Sequence, residues 1–145
     1  MASYLYAQLE EADTINNRRR SLFDRYMQAL APLATEAGVG IPVNPPDTTG
    51  NGHMFYLLMP SIEARSAFIL YMRQKGIGTP FHYVPLHSAA AGLRFGRSHG
   101  SMSVTDRVSD TLVRMPMFFD LGAEVETVID AVSVYIDMRS AELHA

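Results

Sequence analysis

No cysteine occurs anywhere in the 145 residues of this chain. That absence removes disulfides, thiolate zinc sites and cysteine nucleophiles together, and it is compatible with a reducing cytosol. Lysine is almost as scarce: Lys75, in the stretch RQKGIG, is the only one. Chemistry that needs a lysine amine to bond covalently therefore has a single residue to use. No uncharged apolar run approaches the ~20 residues of a membrane-spanning helix. A strong charge of one sign is lacking too: 12 Lys and Arg stand against 15 Asp and Glu, a formal net charge of -3. Nucleic acid and an anionic membrane surface are accordingly poor partners. The opening MASYLYAQLEEAD carries acidic residues early and does not have a signal-peptide layout, so a cytoplasmic location is expected.

What is present is the composition of a globular unit. Hydrophobic residues make up 48% of the chain and charged ones 19%, enough to bury a core and too apolar for a disordered segment. The length suits one domain, residues 1–145, and no repeat, low-complexity tract or linker interrupts it.

Periodicity predicts the elements. Leu5, Leu9, Ala12, Ile15, Leu22, Tyr26 and Leu30 recur at three- and four-residue steps, which predicts one long amphipathic helix over residues 3–31. Pro32 should end or bend it, and the run Arg18, Arg19, Arg20 with Asp24 and Arg25 reads as its solvated face. Residues 38–52 (GVGIPVNPPDTTGNG) are a loop by composition, with room for a short strand at 41–43. HMFYLLMP over residues 53–60 reads as a buried strand. Ser61 then caps a helix that Lys75 and Gly76 stop. Residues 77–83 have strand-like side chains, but Pro80 confines them to an edge or bulge. Residues 86–100 look irregular, and Ser103 with Asp106 starts a helical turn. Residues 112–118 (LVRMPMF) form a third strand candidate, an edge because of Pro116. Val125, Val128, Ile129, Val132 and Ile136 stripe a last helix over residues 123–138. The expected architecture is a small two-layer α+β domain, residues 38–145, with a small antiparallel sheet packed against helices and a long helix in front of it.

The five histidines, His53, His82, His87, His99 and His144, do not have metal-site spacing: no pair stands four apart and no His-x-Glu accompanies them. Ser98 in GRSHG has the letters of a nucleophile elbow without the strand that must precede one. GLRFGRSHG lacks the lysine and the strand-to-helix setting of a phosphate loop. The best local constellation is FHYVPLH, where His82, Tyr83 and His87 emerge as a strand turns into a loop, a place suited to orienting a polar ligand. Strand alternation would set His82 on the face opposite Phe81 and Tyr83.

The succession SYLYAQLEEADTINNRRRSLFDRYMQALAPL, NGHMFYLLMP, GIGTPFHYVPLHSAAAG and LVRMPMFFDL resembles the C-terminal portion of the nucleotide-sugar aminotransferases. These are pyridoxal phosphate enzymes of the aspartate aminotransferase architecture (fold type I). Within them the chain is most similar to those that aminate a dTDP-4-keto-6-deoxy sugar at the expense of glutamate, in making precursors of cell-surface polysaccharides. FHYVPLH is the most specific piece, because a His-Tyr-x-Pro-x-His segment lies near the sugar-binding cleft of this family. Met115 and Met117 stand where the family's Leu-Pro-Leu-Phe ending has leucines.

The resemblance implies a division of labour. His82 and Tyr83 are expected to line the sugar or cofactor side of a cleft, with His87 just behind and His53 a weaker candidate. Gly52 departs from a family position that usually carries a side chain. The family's cofactor-binding lysine and most phosphate contacts lie upstream of the matched portion, and Lys75 matches a surface position. The chain alone is therefore expected not to hold pyridoxal phosphate covalently and not to be a competent transaminase. Its long first helix would lead from a large domain, and family members work as dimers that share sites. The alternative expectation is a non-catalytic module that binds a nucleotide sugar or another protein. Either way, an exposed apolar surface that favours self-association is expected.

Overall fold

A computed structural model describes residues 2–143 of the chain; His144 lies outside them. The elements run α1 (Ala2–Glu10), α2 (Ala12–Glu36), β1 (Tyr56–Leu58), α3 (Ile62–Gln74), α4 (Ala90–Phe95), α5 (Ser103–Thr111), β2 (Leu112–Arg114) and α6 (Glu124–Leu143). The α+β class stands, with the helices dominant and the sheet smaller than expected.

The first helix differs from its sequence pattern in two ways. It breaks at Glu11, where the backbone opens to φ -98° and ψ 9°. It then continues past Pro32 to Glu36, so Pro32 does not end it. Proline in a helix interior removes one backbone hydrogen bond and costs about 3 kcal/mol. Leu30 and Ala34, both fully buried on either side of Pro32, offset that cost by holding the last turns in the core. Leu5 and Leu9, counted in the same stripe, are exposed. The true stop is Gly38 at φ 66°: Val39 N–H donates to the Ala34 carbonyl at 2.8 Å and Gly38 N–H to that of Thr35, the six-to-one and five-to-two bonds of a Schellman end. Helix α3 stops the same way, with Gly76 at φ 76°, Ile77 N–H bonded to the Met72 carbonyl and Gly76 N–H to that of Arg73. Its start is as expected, Ser61 Oγ accepting from Ala64 N–H at 3.2 Å.

The sheet is antiparallel, with Leu57 opposite Val113 in the register. Main-chain bonds carry the ladder one residue beyond each strand: Met115 N–H donates to Phe55 and Met59 N–H to Thr111, both at 2.9 Å. Two single bridges flank it, Gly40 with Leu58 on one side and Phe81 with Val113 on the other. The short strand expected at 41–43 thus reduces to a bridge at Gly40. The one expected over 77–83 reduces to Phe81, because Pro80 has no N–H to give; only its carbonyl takes part, accepting from Arg114 N–H. With neighbours on both sides β2 is not an edge, and Pro116 falls just past the end of its ladder. Within 86–100, expected to be irregular, lies the short helix α4.

Alternation then sorts the sheet residues. Phe55, Leu57, Met59, Val113 and Met115 join the core cluster with α2, α3 and α6. Two aromatic groups bind the layers: Tyr26 stacks on Phe55 at 4.9 Å with Phe23 edge-on at 5.4 Å, and Phe68 meets Tyr135 edge-on at 5.1 Å. The fully buried Tyr26 hydroxyl donates to the Pro116 carbonyl at 3.0 Å, and burial raises its pKa far above that of an exposed tyrosine. The arginine run is more than a solvated face. Arg25 makes a two-pronged ion pair with Glu126 of α6 (Nε to Oε1 2.7 Å), Arg20 Nε donates to Gly50, and Arg18 Nε reaches the Phe119 carbonyl.

Candidate functional site

The other face of the sheet carries Tyr56 and Arg114, paired in the register, and Leu112. Beyond Phe81 the chain leaves the sheet, and strand alternation no longer governs His82 and Tyr83. Their rings turn towards each other, 4.8 Å apart and tilted, instead of pointing to opposite faces. Both line an open cleft of about 540 Å³ whose wall also includes His53, Pro80, Arg114 and Pro116. A second, mostly apolar groove of about 450 Å³ lies beyond them, formed with Val84, Leu86, Val104 and Val108. The His82–Tyr83 pair thus stands between two cavities.

Neighbouring helices hold this wall in place. Ser109 Oγ on α5 donates to the Tyr83 carbonyl at 3.0 Å. Arg65 on α3 lays its guanidinium over the Phe81 ring at 5.4 Å and donates to the Ser109 carbonyl. Tyr83 itself is 71% exposed, with the Arg114 guanidinium 5.6 Å from its ring centre. His82 Nδ1 and Arg114 Nε are both shielded from solvent and have no hydrogen-bond partner among the described residues. An unpaired buried polar atom costs about 1–3 kcal/mol; Thr79 Oγ1, Arg19 Nε and Arg65 Nε, which do not line the cleft, share that condition among the described residues.

Three of the four candidate residues come together and one does not. His53 joins His82 and Tyr83 across more than two dozen residues of sequence, its Nδ1 3.0 Å from Asn51 Oδ1. Gly52 sets up that approach: at φ 63°, an added Cβ would sit 2.7 Å from the backbone of Arg19, so a side chain there would drive residues 52–53 off α2. His87 is not among the residues lining the cleft. Its Nε2 meets Asp106 Oδ1 at 2.9 Å and anchors the 85–89 turn to α5. Arg114 is the residue that motif reading passes over. Its signal is in the run LVRMP, where a charge between two apolar strand residues must emerge on the face opposite them. Among the described residues no group of three or more His, Asp or Glu could hold a metal.

Lys75 tests the cofactor directly. It is exposed at the C-terminal cap of α3, its Nζ 5.6 Å from the Tyr71 ring centre, and it does not line the cleft. The residues present therefore do not fit a covalent pyridoxal phosphate site.

A long helix packed on a small sheet, with a histidine–tyrosine wall at the sheet end, superposes on about a third of a solved aminotransferase, TlmJ of Streptoalloteichus hindustanus, with a TM-score of 0.76 at 27% identity. The chain belongs to the DegT/DnrJ/EryC1/StrS aminotransferase family, whose profile it matches over residues 1–133; pyridoxal phosphate is the cofactor of that family. It is 31% identical over 137 residues to dTDP-3-amino-3,4,6-trideoxy-alpha-D-glucose transaminase of Streptomyces venezuelae, covering 90% of this chain and 34% of that one. It is 31% identical over 138 residues to dTDP-4-dehydro-2,3,6-trideoxy-D-glucose 4-aminotransferase of Saccharopolyspora spinosa, covering 92% of this chain and 34% of that one. Among solved structures, DesV of S. venezuelae superposes with a TM-score of 0.81 at 30% identity, over 93% of this chain and 35% of DesV. The chain spans about a third of the length of the relatives it matches.

Proposed function

We propose that the chain is the sugar-facing unit of a pyridoxal phosphate-dependent aminotransferase that moves an amino group from glutamate to a dTDP-4-keto-6-deoxyhexose, forming a dTDP-4-amino-4,6-dideoxygalactose type of product in the cytosol for cell-surface polysaccharide. Residues 1–145 act as a single domain, and alone they are not competent. The observation that carries the reading is the cleft: His53, His82 and Tyr83 share one wall, and the only lysine of the chain lies elsewhere. His82 and Tyr83 would orient the sugar, His53 would support them, and His87 would hold the turn behind. The relatives include enzymes named for amino groups at position 3 and at position 4, so the 4-keto assignment rests on the FHYVPLH and LVRMPMFFDL segments.

The test mixes the purified chain with pyridoxal phosphate, glutamate and a dTDP-4-keto-6-deoxyhexose. No turnover is expected, and efficient turnover would overturn the reading. A chimera in which this chain replaces the matched third of DesV should aminate the sugar, and His82→Ala in that chimera should lower kcat/KM by about tenfold or more, the loss of one good polar contact.

Exposed Tyr4, Leu5, Tyr6 and Leu9 on α1, with Leu86 and Phe95 near α4, favour a second reading: a non-catalytic module that binds a nucleotide sugar or another protein and associates with itself through apolar surface. Sedimentation that shows a strict monomer at all concentrations would remove the self-association.

A further inference from the structure

We infer that Arg114, backed by His82, is an oxyanion-binding point of the cleft, taking a substrate group that presents two adjacent anionic oxygens. The inference rests on the cleft being the substrate-facing wall. It goes further by naming a residue and a ligand chemistry that the motif at 81–87 does not contain.

Three observations converge on it. Arg114 sits on β2 opposite Tyr56, with Val113 and Met115 on either side buried in the core, so its guanidinium must leave on the cleft side. The main-chain bond from Arg114 N–H to the Pro80 carbonyl at 2.9 Å fixes its backbone. Among the described residues neither ion pair includes Arg114 and no Asp or Glu lines the cleft, although the chain as a whole is acidic. The Nε of Arg114 is buried without a partner among them, and so is Nδ1 of His82 on the same wall. The Arg114 guanidinium lies over the Tyr83 ring, 5.6 Å from its centre, and a guanidinium can offer a fork of two parallel N–H···O bonds. Carboxylate and phosphate match that fork; neutral hydroxyls of a sugar do not use it fully. The source is either the diphosphate of a nucleotide sugar or the carboxylate of an amino donor.

Titration of the purified chain with inorganic pyrophosphate and, separately, with glutamate distinguishes the two sources, read by calorimetry and by the Arg114 Nε–H resonance in a nitrogen-15 spectrum. One of the two anions is expected to bind and to shift that resonance. Arg114→Gln should weaken its binding by about ten- to a hundredfold, as expected for loss of a charge-assisted bidentate contact. Arg114→Lys, which keeps the charge but loses the fork, should fall in between. Wild-type chain that binds neither anion at 10 mM (on the order of the weakest affinity worth calling a site) would overturn the inference. Binding that leaves the Nε–H resonance unmoved, or that a folded Arg114→Gln chain retains unchanged, would do so too. The spectrum of the wild type decides the matter even if a variant fails to fold. The titration needs no turnover, so a negative result here leaves the transamination test of the chimera standing, and failure of the chimera leaves anion binding by the chain intact.

Discussion

Two regions of this molecule obey different rules. Where α2 and α6 pack on the sheet, the large apolar side chains are inside and the fully buried phenol, Tyr26, has found a carbonyl. In residues 78–95 the pattern reverses: Leu86 is 82% exposed and Phe95 78%, Tyr83 stands out in solvent, and His82 keeps a shielded nitrogen with no partner among the described residues. The first region buries its large apolar side chains, though Arg19 Nε on α2 is shielded without a partner among the described residues, while the second leaves apolar side chains in solvent. Stability has been spent on the packing of one side, and the other keeps polar and apolar groups exposed to something outside it.

That contrast can be broken most directly in the core. Phe55→Ala removes the ring that Phe23 and Tyr26 both pack against, and should cost about 3–5 kcal/mol in denaturant unfolding. A cost below about 1 kcal/mol would mean that the core is not the stabilising side.

A smaller effect probes the seam between α2 and α6. The Arg25 guanidinium holds the Glu126 carboxyl below its ordinary pKa of 4.5 chiefly by hydrogen bonding. A carboxyl whose folded pKa is lowered adds stability that is complete above the ordinary value and is lost as pH falls through the lowered one. Glu126→Gln should therefore lower Tm modestly at pH 7, and the gap to wild type should close as the pH drops below that window. A gap that widened in acid would contradict the sign.

The smallest effect is expected on the exposed wall. Tyr83→Ala should change unfolding free energy by no more than about 0.5 kcal/mol, as for a surface site, because the ring is mostly in solvent. If it destabilised the chain as Phe55→Ala does, the wall would be structural and the contrast between the two regions would fail.

Local signals in the sequence were read well where the physics is local. Ser61 capping α3, Lys75 and Gly76 ending it, and the stripe of Val125, Val128, Ile129, Val132 and Ile136 on α6 all depend on a few neighbouring residues. Pro32 does not end the helix because its penalty is local while the burial of Leu30 and Ala34 that outweighs it comes from the rest of the fold. The strands shrank because a third strand needs donors, and Pro80 supplies none. In the cleft, FHYVPLH pointed to His82 and Tyr83 with His87 just behind, His53 was a weaker candidate outside that motif, and Arg114 was passed over. Only the turn at Gly52, the ion pair with Asp106 and the β1–β2 register place these three.

By itself the sequence determined what chemistry is missing. Without cysteine, and with a single lysine at a helix end, covalent chemistry through either side chain was constrained before any folding. Tertiary structure alone decided which residues share a wall. A cleft forms where segments distant in sequence converge, and their convergence is set by which side chains the core can bury. The arginine between Val113 and Met115 emerges on the cleft side because its two neighbours are held inside.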